Sequence, residues 1–106
     1  MIEQNIRTPE KCETISEIRE QIDKIDLDII KALGIRFKFV KEIVKFKSDK
    51  KSIKAEDRYN AVLAQRRIWA QENGLHPDAI EKMYRDLIDH FINEEIRIFE
   101  NKKDKS

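Results

Sequence analysis

Residues 15–47 read ISEIREQIDKIDLDIIKALGIRFKFVKEIVKFK, and the pattern of this stretch predicts the architecture of the protein. Its apolar residues recur in alternating steps of three and four without an interrupting proline, which is typical of one amphipathic helix. The stripe runs through Ile15, Ile18, Ile22, Ile25, Ile29, Leu33, Arg36, Val40, Ile43 and Lys47. Thr14 and Glu17 have the spacing of a capping box, which predicts that the helix begins near Thr14.

The length of this helix predicts a second subunit. A helix over about 14–47 is roughly 50 Å long at 1.5 Å per residue. A compact monomer of this size has a radius of gyration of only about 13 Å. The helix therefore overhangs a monomer, and we expect a homodimer of coiled-coil character.

The rest of the chain predicts two shorter helices. The polar stretch 48–54 breaks the apolar pattern and is expected to be a loop. Helix 2 is expected over about 55–73, where Gly74 provides a stop, and helix 3 over about 77–102. We therefore expect an all-α, three-helix protomer that forms a single domain over 1–106.

The composition excludes several classes of protein. The chain has 106 residues, and its 22 basic side chains oppose 21 acidic ones, so no net field attracts nucleic acid or an acidic membrane. Acidic residues are interspersed among the lysines between 38 and 54, as on a solvated face. Cys12 is the one cysteine, and we find no targeting peptide, apolar run of membrane-spanning length or metal-ligand cluster. We expect a cytoplasmic protein without metal or organic cofactor.

Charged residues that interrupt the apolar stripe of helix 1 are candidates for a site. An unpaired charge facing a packed core is costly unless something compensates it. Arg36 and Lys47 lie within the stripe, and Arg19 lies at its edge beside Ile18. Any one of them is more simply explained as an ion pair or as a side chain that extends to water.

Helices 2 and 3 add further candidates. Glu95 falls on the apolar face of helix 3, although Glu94 satisfies the same spacing almost as well. Arg58 at the start of helix 2 could point toward the loop or toward the interior. Several cations and a buried carboxyl together indicate a pocket for a small dianion, since arginine binds carboxylates with two parallel hydrogen bonds.

At these residues the sequence resembles the all-helical chorismate mutases. The first helix carries the pattern Arg19-x-x-Ile22-Asp23-x-x-Asp26, followed by Ile30, Leu33, Arg36 and Lys47. The resemblance extends to the branch of that family that makes salicylate for siderophores. That branch is indicated by Thr8-Pro9-Glu10-x-Cys12, Ile25-Asp26-Leu27-Asp28-Ile29, Ala32-Leu33-Gly34, Phe46-Lys47 and Trp69-Ala70-x-Glu72-Asn73-Gly74-Leu75.

The resemblance implies an intertwined homodimer of the chorismate mutase type II fold. Each of its two pockets would take Arg36, Lys47, Arg58 and the helix 3 carboxyl, Glu95, from one protomer and Arg19 from the other. Arg19 and Arg36 would hold the two carboxylates of the substrate. Lys47 would neutralise charge on the ether oxygen as the C–O bond breaks. Residues 48–54 would form a lid over the pocket, with Lys47 at its hinge.

Two departures from the mutase pattern favour cleavage of isochorismate to salicylate and pyruvate over a dedicated mutase, with weak activity on chorismate. Mutases of this fold usually carry Glu directly after the arginine of helix 2, where this chain has Tyr59. An acidic residue is also common where Ala55 lies. Glu95 stands where the lyases and many mutases carry Gln. A carboxyl must be protonated to donate a hydrogen bond as that amide does, and burial favours the protonated form by raising the pKa.

The sequence leaves two alternatives open. The first is a dedicated chorismate mutase that converts chorismate to prephenate, against which Tyr59 is the main sequence feature. The second is a non-catalytic helical dimer that binds or regulates a partner, in which the charged interruptions are ordinary ion pairs.

Overall fold

The protein is built from helices. The structure, a computed structural model, describes residues 8–104. The elements in chain order are a 3₁₀ turn at Pro9–Lys11, α1 at Ile15–Ile43, a 3₁₀ turn at Val44–Phe46, α2 at Lys50–Lys54, α3 at Glu56–Glu72 and α4 at Pro77–Asp104. No strand occurs within this described range, and the predicted all-α class is confirmed.

The first turn of α1 is capped by two side chains. The Oγ1 atom of Thr14 accepts a hydrogen bond from the N–H of Glu17 at 3.1 Å. The carboxylate of Glu17 accepts one from the N–H of Glu13 at 2.7 Å. These contacts satisfy amide groups that have no partner inside the helix, which is why α1 begins at Ile15.

The first helix ends about one turn earlier than predicted. α1 stops at Ile43, and a 3₁₀ turn follows in which the N–H of Lys47 donates to the carbonyl of Val44 at 3.1 Å. Val44 is buried, with 2% of its surface exposed, and Lys47 has extended backbone angles. The prediction of a helix up to Lys47 was wrong because the stripe continues through a tighter turn that has a similar periodicity.

The stretch 48–54, predicted to be a loop, contains the short helix α2. Asp49 caps this helix, and Ile53 anchors it with only 4% of its surface exposed. Ala55 then adopts φ 39° and ψ 63°, in the left-handed region, and separates α2 from α3. An alanine in that conformation costs roughly 1–2 kcal/mol relative to the right-handed one. The polar composition of 48–54 therefore gave no sign of this single helical turn.

α3 ends where Asn73 and Gly74 predict. The N–H of Leu75 donates to the carbonyl of Ala70 at 2.8 Å, and Gly74 has φ 73°, which glycine adopts without strain. α4 begins at Pro77, whose missing N–H costs nothing in the first turn.

The chain divides into two compact units, one up to Lys38 and one from Phe39 onward. In the second unit α3 packs along α4, and α2 and the turn at 44–46 also contact α4. Its buried apolar side chains are Val40, Val44, Ile53, Val62, Leu63 and Ala70.

The first unit has a different character. None of its described residues, 8–38, is buried within the single chain. The predicted stripe of α1 is open to solvent, with Ile15 65%, Ile18 43%, Ile22 48% and Ile29 45% exposed. The apolar face that the sequence predicts is present, and this chain alone does not cover it.

Candidate active site

Lys47 lies at the junction between the 3₁₀ turn and α2. Its side chain is partly buried, and its Nζ donates a hydrogen bond to the carbonyl oxygen of Ser52 at 2.8 Å. Ser52 lies in the middle of α2, so the ammonium contacts the segment that was expected to form the lid. An ammonium has three donors, and this contact uses one of them.

Asp49 organises the same segment from the other side. Its Oδ1 accepts hydrogen bonds from the backbone N–H and from the Oγ of Ser52, both at 2.7 Å. The bond from the Ser52 backbone amide is the main reason that the pKa of this carboxyl lies below its usual range, and the Ser52 hydroxyl adds to it. Asp49 is therefore held as the carboxylate that caps α2.

Glu95 is the buried carboxyl of α4. Its exposed fraction is 8%, and it is the buried charged residue of the described chain. Glu94 is half-buried and lies 3.5 Å from the guanidinium of Arg97. Burial therefore separates the two glutamates that periodicity could not distinguish, and it favours Glu95 as the residue that faces the interior.

Arg58 is exposed and lies at the junction between α2 and α3. It lines a hollow of about 610 Å³. The other lining residues are Lys51, Lys54, Ala55, Glu56 and Asp57. Of the two orientations that the sequence left open, the exposure of Arg58 and its place beside Lys51 and Lys54 favour the one toward the short helix.

Arg19 and Arg36 belong to the first unit, whereas Lys47, Arg58 and Glu95 belong to the second. Arg19 is exposed and Arg36 is half-buried. Both lie on α1, 17 positions apart, which corresponds to about 26 Å along a helix. That distance far exceeds the separation of two carboxylates in one small molecule.

One polar cluster between α3 and α4 was not predicted. The hydroxyl of Tyr59 donates to Oδ1 of Asp89 at 2.9 Å, and the guanidinium carbon of Arg85 lies 5.8 Å from the centre of the Tyr59 ring. Burial of Tyr59 is the largest of the effects that raise the pKa of its hydroxyl, and the hydrogen bond to Asp89 raises this pKa further. No local pattern joins Tyr59 to a residue thirty positions away. The contact depends on the packing of two helices.

Tyr59 and Asp89 also line a cavity of about 550 Å³. Its other lining residues are Lys54, Glu56, Asn60, Ile92 and Asn93. None of the five predicted site residues lines this cavity.

A second unpredicted contact involves Arg66 of α3. Its guanidinium carbon lies 4.6 Å from the centre of the Trp69 ring and 5.5 Å from that of Tyr84, distances typical of cation–π contacts. Trp69 is 47% exposed, so this contact lies toward the surface.

The described residues contain neither a group of metal ligands nor a helix that could cross a membrane. Among the described residues, no three His, Cys, Asp or Glu side chains are grouped so that they could hold a metal ion. Within the same part of the chain, every helix is too short or too polar to cross a membrane.

Comparison with known proteins identifies the family. Residues 18–96 match the family Chorismate mutase type II, and this range includes all five predicted site residues. The chain belongs to the chorismate mutase type II family. One relative of this chain is the isochorismate pyruvate lyase of Pseudomonas aeruginosa. It is 42% identical over 92 residues, which cover 87% of this chain and 91% of the relative.

Proposed function

We propose that this member of the chorismate mutase type II family is an isochorismate pyruvate lyase, which converts isochorismate to salicylate and pyruvate. The observation that carries the proposal is the 42% identity to a relative with that name, over nearly the full length of both chains. Tyr59 and Ala55, which stand where mutases usually carry acidic residues, support the lyase over a dedicated mutase.

The proposed reaction is concerted and needs no base. The hydrogen on C2 of the ring moves to the methylene carbon of the enolpyruvyl group as the bond between the ring and the ether oxygen breaks. The ether oxygen becomes the ketone oxygen of pyruvate, and the ring becomes aromatic. Catalysis then consists of folding the side chain over the ring and stabilising negative charge on the ether oxygen.

The five site residues divide this work. Arg36 and Arg19 bind the two carboxylates, since guanidinium groups match carboxylate geometry. Lys47 supplies positive charge at the ether oxygen, and Glu95 donates a hydrogen bond in its protonated form. Arg58, at the junction between α2 and α3, adds positive charge for the dianion.

A homodimer with Arg19 contributed across the interface is part of the proposal. The exposed isoleucine stripe of α1 supports it, because an apolar face of this size is normally covered in a stable protein. The separation of about 26 Å between Arg19 and Arg36 along one helix also supports it. In a homodimer, the α1 helix of the second subunit brings the partner's Arg19 to the pocket that contains Arg36. The Arg19 of the same chain cannot reach that pocket.

The test of the function is a comparison of two substrates on the purified protein. We expect isochorismate to give salicylate, followed continuously by its fluorescence, and chorismate to give prephenate far more slowly. Faster formation of prephenate than of salicylate would show a dedicated mutase. Turnover of neither substrate would favour a helical binding or regulatory module.

Glu95 leads to a prediction about pH. If Glu95 donates a hydrogen bond, lyase activity falls as the pH rises past the pKa of this carboxyl, because the carboxylate cannot donate. A Glu95→Gln variant keeps a donor at every pH, so its kcat is expected to stay flat over the same range. The measurement is kcat for salicylate formation as a function of pH.

The matched control is Glu94→Gln, one position away and on the half-buried side of α4. This variant is expected to keep the wild-type pH profile. A Glu95→Gln variant that also keeps the wild-type profile removes Glu95 as the titrating donor.

A further inference from the structure

The ammonium of Lys47 binds a backbone carbonyl in the last turn of α2. This helix has five residues, and its last carbonyl groups lie beyond the reach of further helical N–H donors, because Ala55 turns the backbone into the left-handed region. The Nζ of Lys47 donates to one of these carbonyls, that of Ser52, at 2.8 Å. A cation at this end of a helix is also favoured by the helix dipole.

The opposite side of Ser52 is held by Asp49. Its Oδ1 accepts both the backbone N–H and the hydroxyl of Ser52 at 2.7 Å. Ser52 is therefore bonded to Asp49 through its amide and hydroxyl and to Lys47 through its carbonyl. The helix packs against α4, Ile53 is buried, and Lys50 forms an ion pair with Glu100 of α4 at 2.5 Å.

We propose that Asp49 is a positioning residue that fixes the ammonium of Lys47 through Ser52. The inference rests on the proposed function, in which that ammonium acts at the ether oxygen. A helix of five residues is marginal without a cap, because nucleation is costly. Without Asp49 the Ser52 carbonyl loses its fixed place, and the long lysine side chain gains rotational freedom. With Asp49 in place, one N–H of the ammonium is anchored and two remain for the substrate.

The kinetic test compares four variants under saturating and limiting isochorismate. Asp49→Ala is expected to lower kcat roughly ten- to a hundredfold with little change in KM, since misplacing a catalytic group by about 1 Å can cost that much. Asp49→Asn keeps an oxygen acceptor and should stay within about threefold of the wild type. Ser52→Ala keeps the backbone bond to Asp49 and should lose less than Asp49→Ala. Lys82→Ala, an exposed lysine of α4 that pairs with Asp86 at 3.0 Å, is the control with wild-type kcat.

Two kinetic outcomes overturn the proposal. The first is a wild-type kcat for Asp49→Ala, or a loss confined to KM, which would show that α2 only covers the bound substrate. The second is an Asp49→Asn variant as slow as Asp49→Ala, which would show that the acceptor oxygen has no part in the effect. Thermal unfolding of each variant checks that the helical bundle is intact.

A second measurement does not depend on turnover. Nuclear magnetic resonance of the lysine ammonium groups reports how fast the Nζ protons of Lys47 exchange with water in the substrate-free protein. We expect slow exchange in the wild type and in Asp49→Asn, and fast exchange in Asp49→Ala. Equal exchange rates in the wild type and Asp49→Ala overturn the positioning role. If the wild type does not turn over isochorismate, the proposed function fails, yet this measurement still tests the contact.

Discussion

Replacing Lys47 by alanine is expected to lower kcat for salicylate formation roughly 10²- to 10³-fold, the cost typical of removing one group that stabilises a developing oxyanion. The reason is that no other group in the proposal places positive charge at the ether oxygen as the C–O bond breaks. KM should change less than kcat, because the arginines bind the carboxylates in the ground state. The measurement is steady-state kinetics with the fluorescence of salicylate as the signal.

Two further variants separate charge from structure at this position. Lys47→Gln retains an N–H donor but has no charge, so it is expected to be nearly as slow as Lys47→Ala. Lys45→Ala removes an exposed cation two positions away, which pairs with Glu42 at 2.8 Å, and should retain wild-type kcat. A near-normal rate for Lys47→Ala would show that a different cation stabilises the ether oxygen.

The second large effect concerns the two arginines of α1. Arg19→Ala and Arg36→Ala homodimers are each expected to lose at least about a hundredfold in kcat/KM, because each lacks one of the two guanidinium groups that bind the substrate carboxylates. A heterodimer purified with two different tags, one protomer with Arg19→Ala and the other with Arg36→Ala, should recover about half of the wild-type activity. One of its two sites contains both arginines if Arg19 acts across the interface.

A matched heterodimer makes this experiment decisive. It pairs a wild-type protomer with one that carries both Arg19→Ala and Arg36→Ala. If Arg19 acts across the interface, each site of this heterodimer lacks one arginine, so we expect it to be nearly inactive. If both arginines act within one protomer, this heterodimer is half active and the first is inactive. That reversed pattern rules out the shared site.

The candidate site was partly predictable because its residues break a regular pattern. Arg36 and Lys47 interrupt an otherwise apolar stripe, and such interruptions are visible without a structure. The environment of Lys47 was less predictable. The stretch 48–54 is polar enough to resemble a loop, and its helical turn depends on Asp49 as a cap and on the burial of Ile53 against another helix. Burial of one isoleucine is a property of the packed chain and leaves no periodic signal in seven residues.

The same distinction applies to α4. Spacing placed Glu94 and Glu95 on nearly the same face, since adjacent residues differ by about 100° around a helix and an apolar face is at least that wide. Packing determined that Glu95 is 8% exposed while Glu94 pairs with Arg97. The bond from Tyr59 to Asp89 likewise required α3 and α4 to be in place.

The amino-acid pattern was enough to predict the all-α class, the capped start of the long helix, the stop at Gly74 and the apolar stripe that a single chain leaves exposed. These features depend on contacts within a few residues, where helix periodicity and caps act. The packed chain was needed to show where α1 ends in a tighter turn, that α2 forms, which glutamate is buried and what the ammonium of Lys47 contacts. Those outcomes depend on the free energy of packing between segments distant in sequence, which no local pattern encodes.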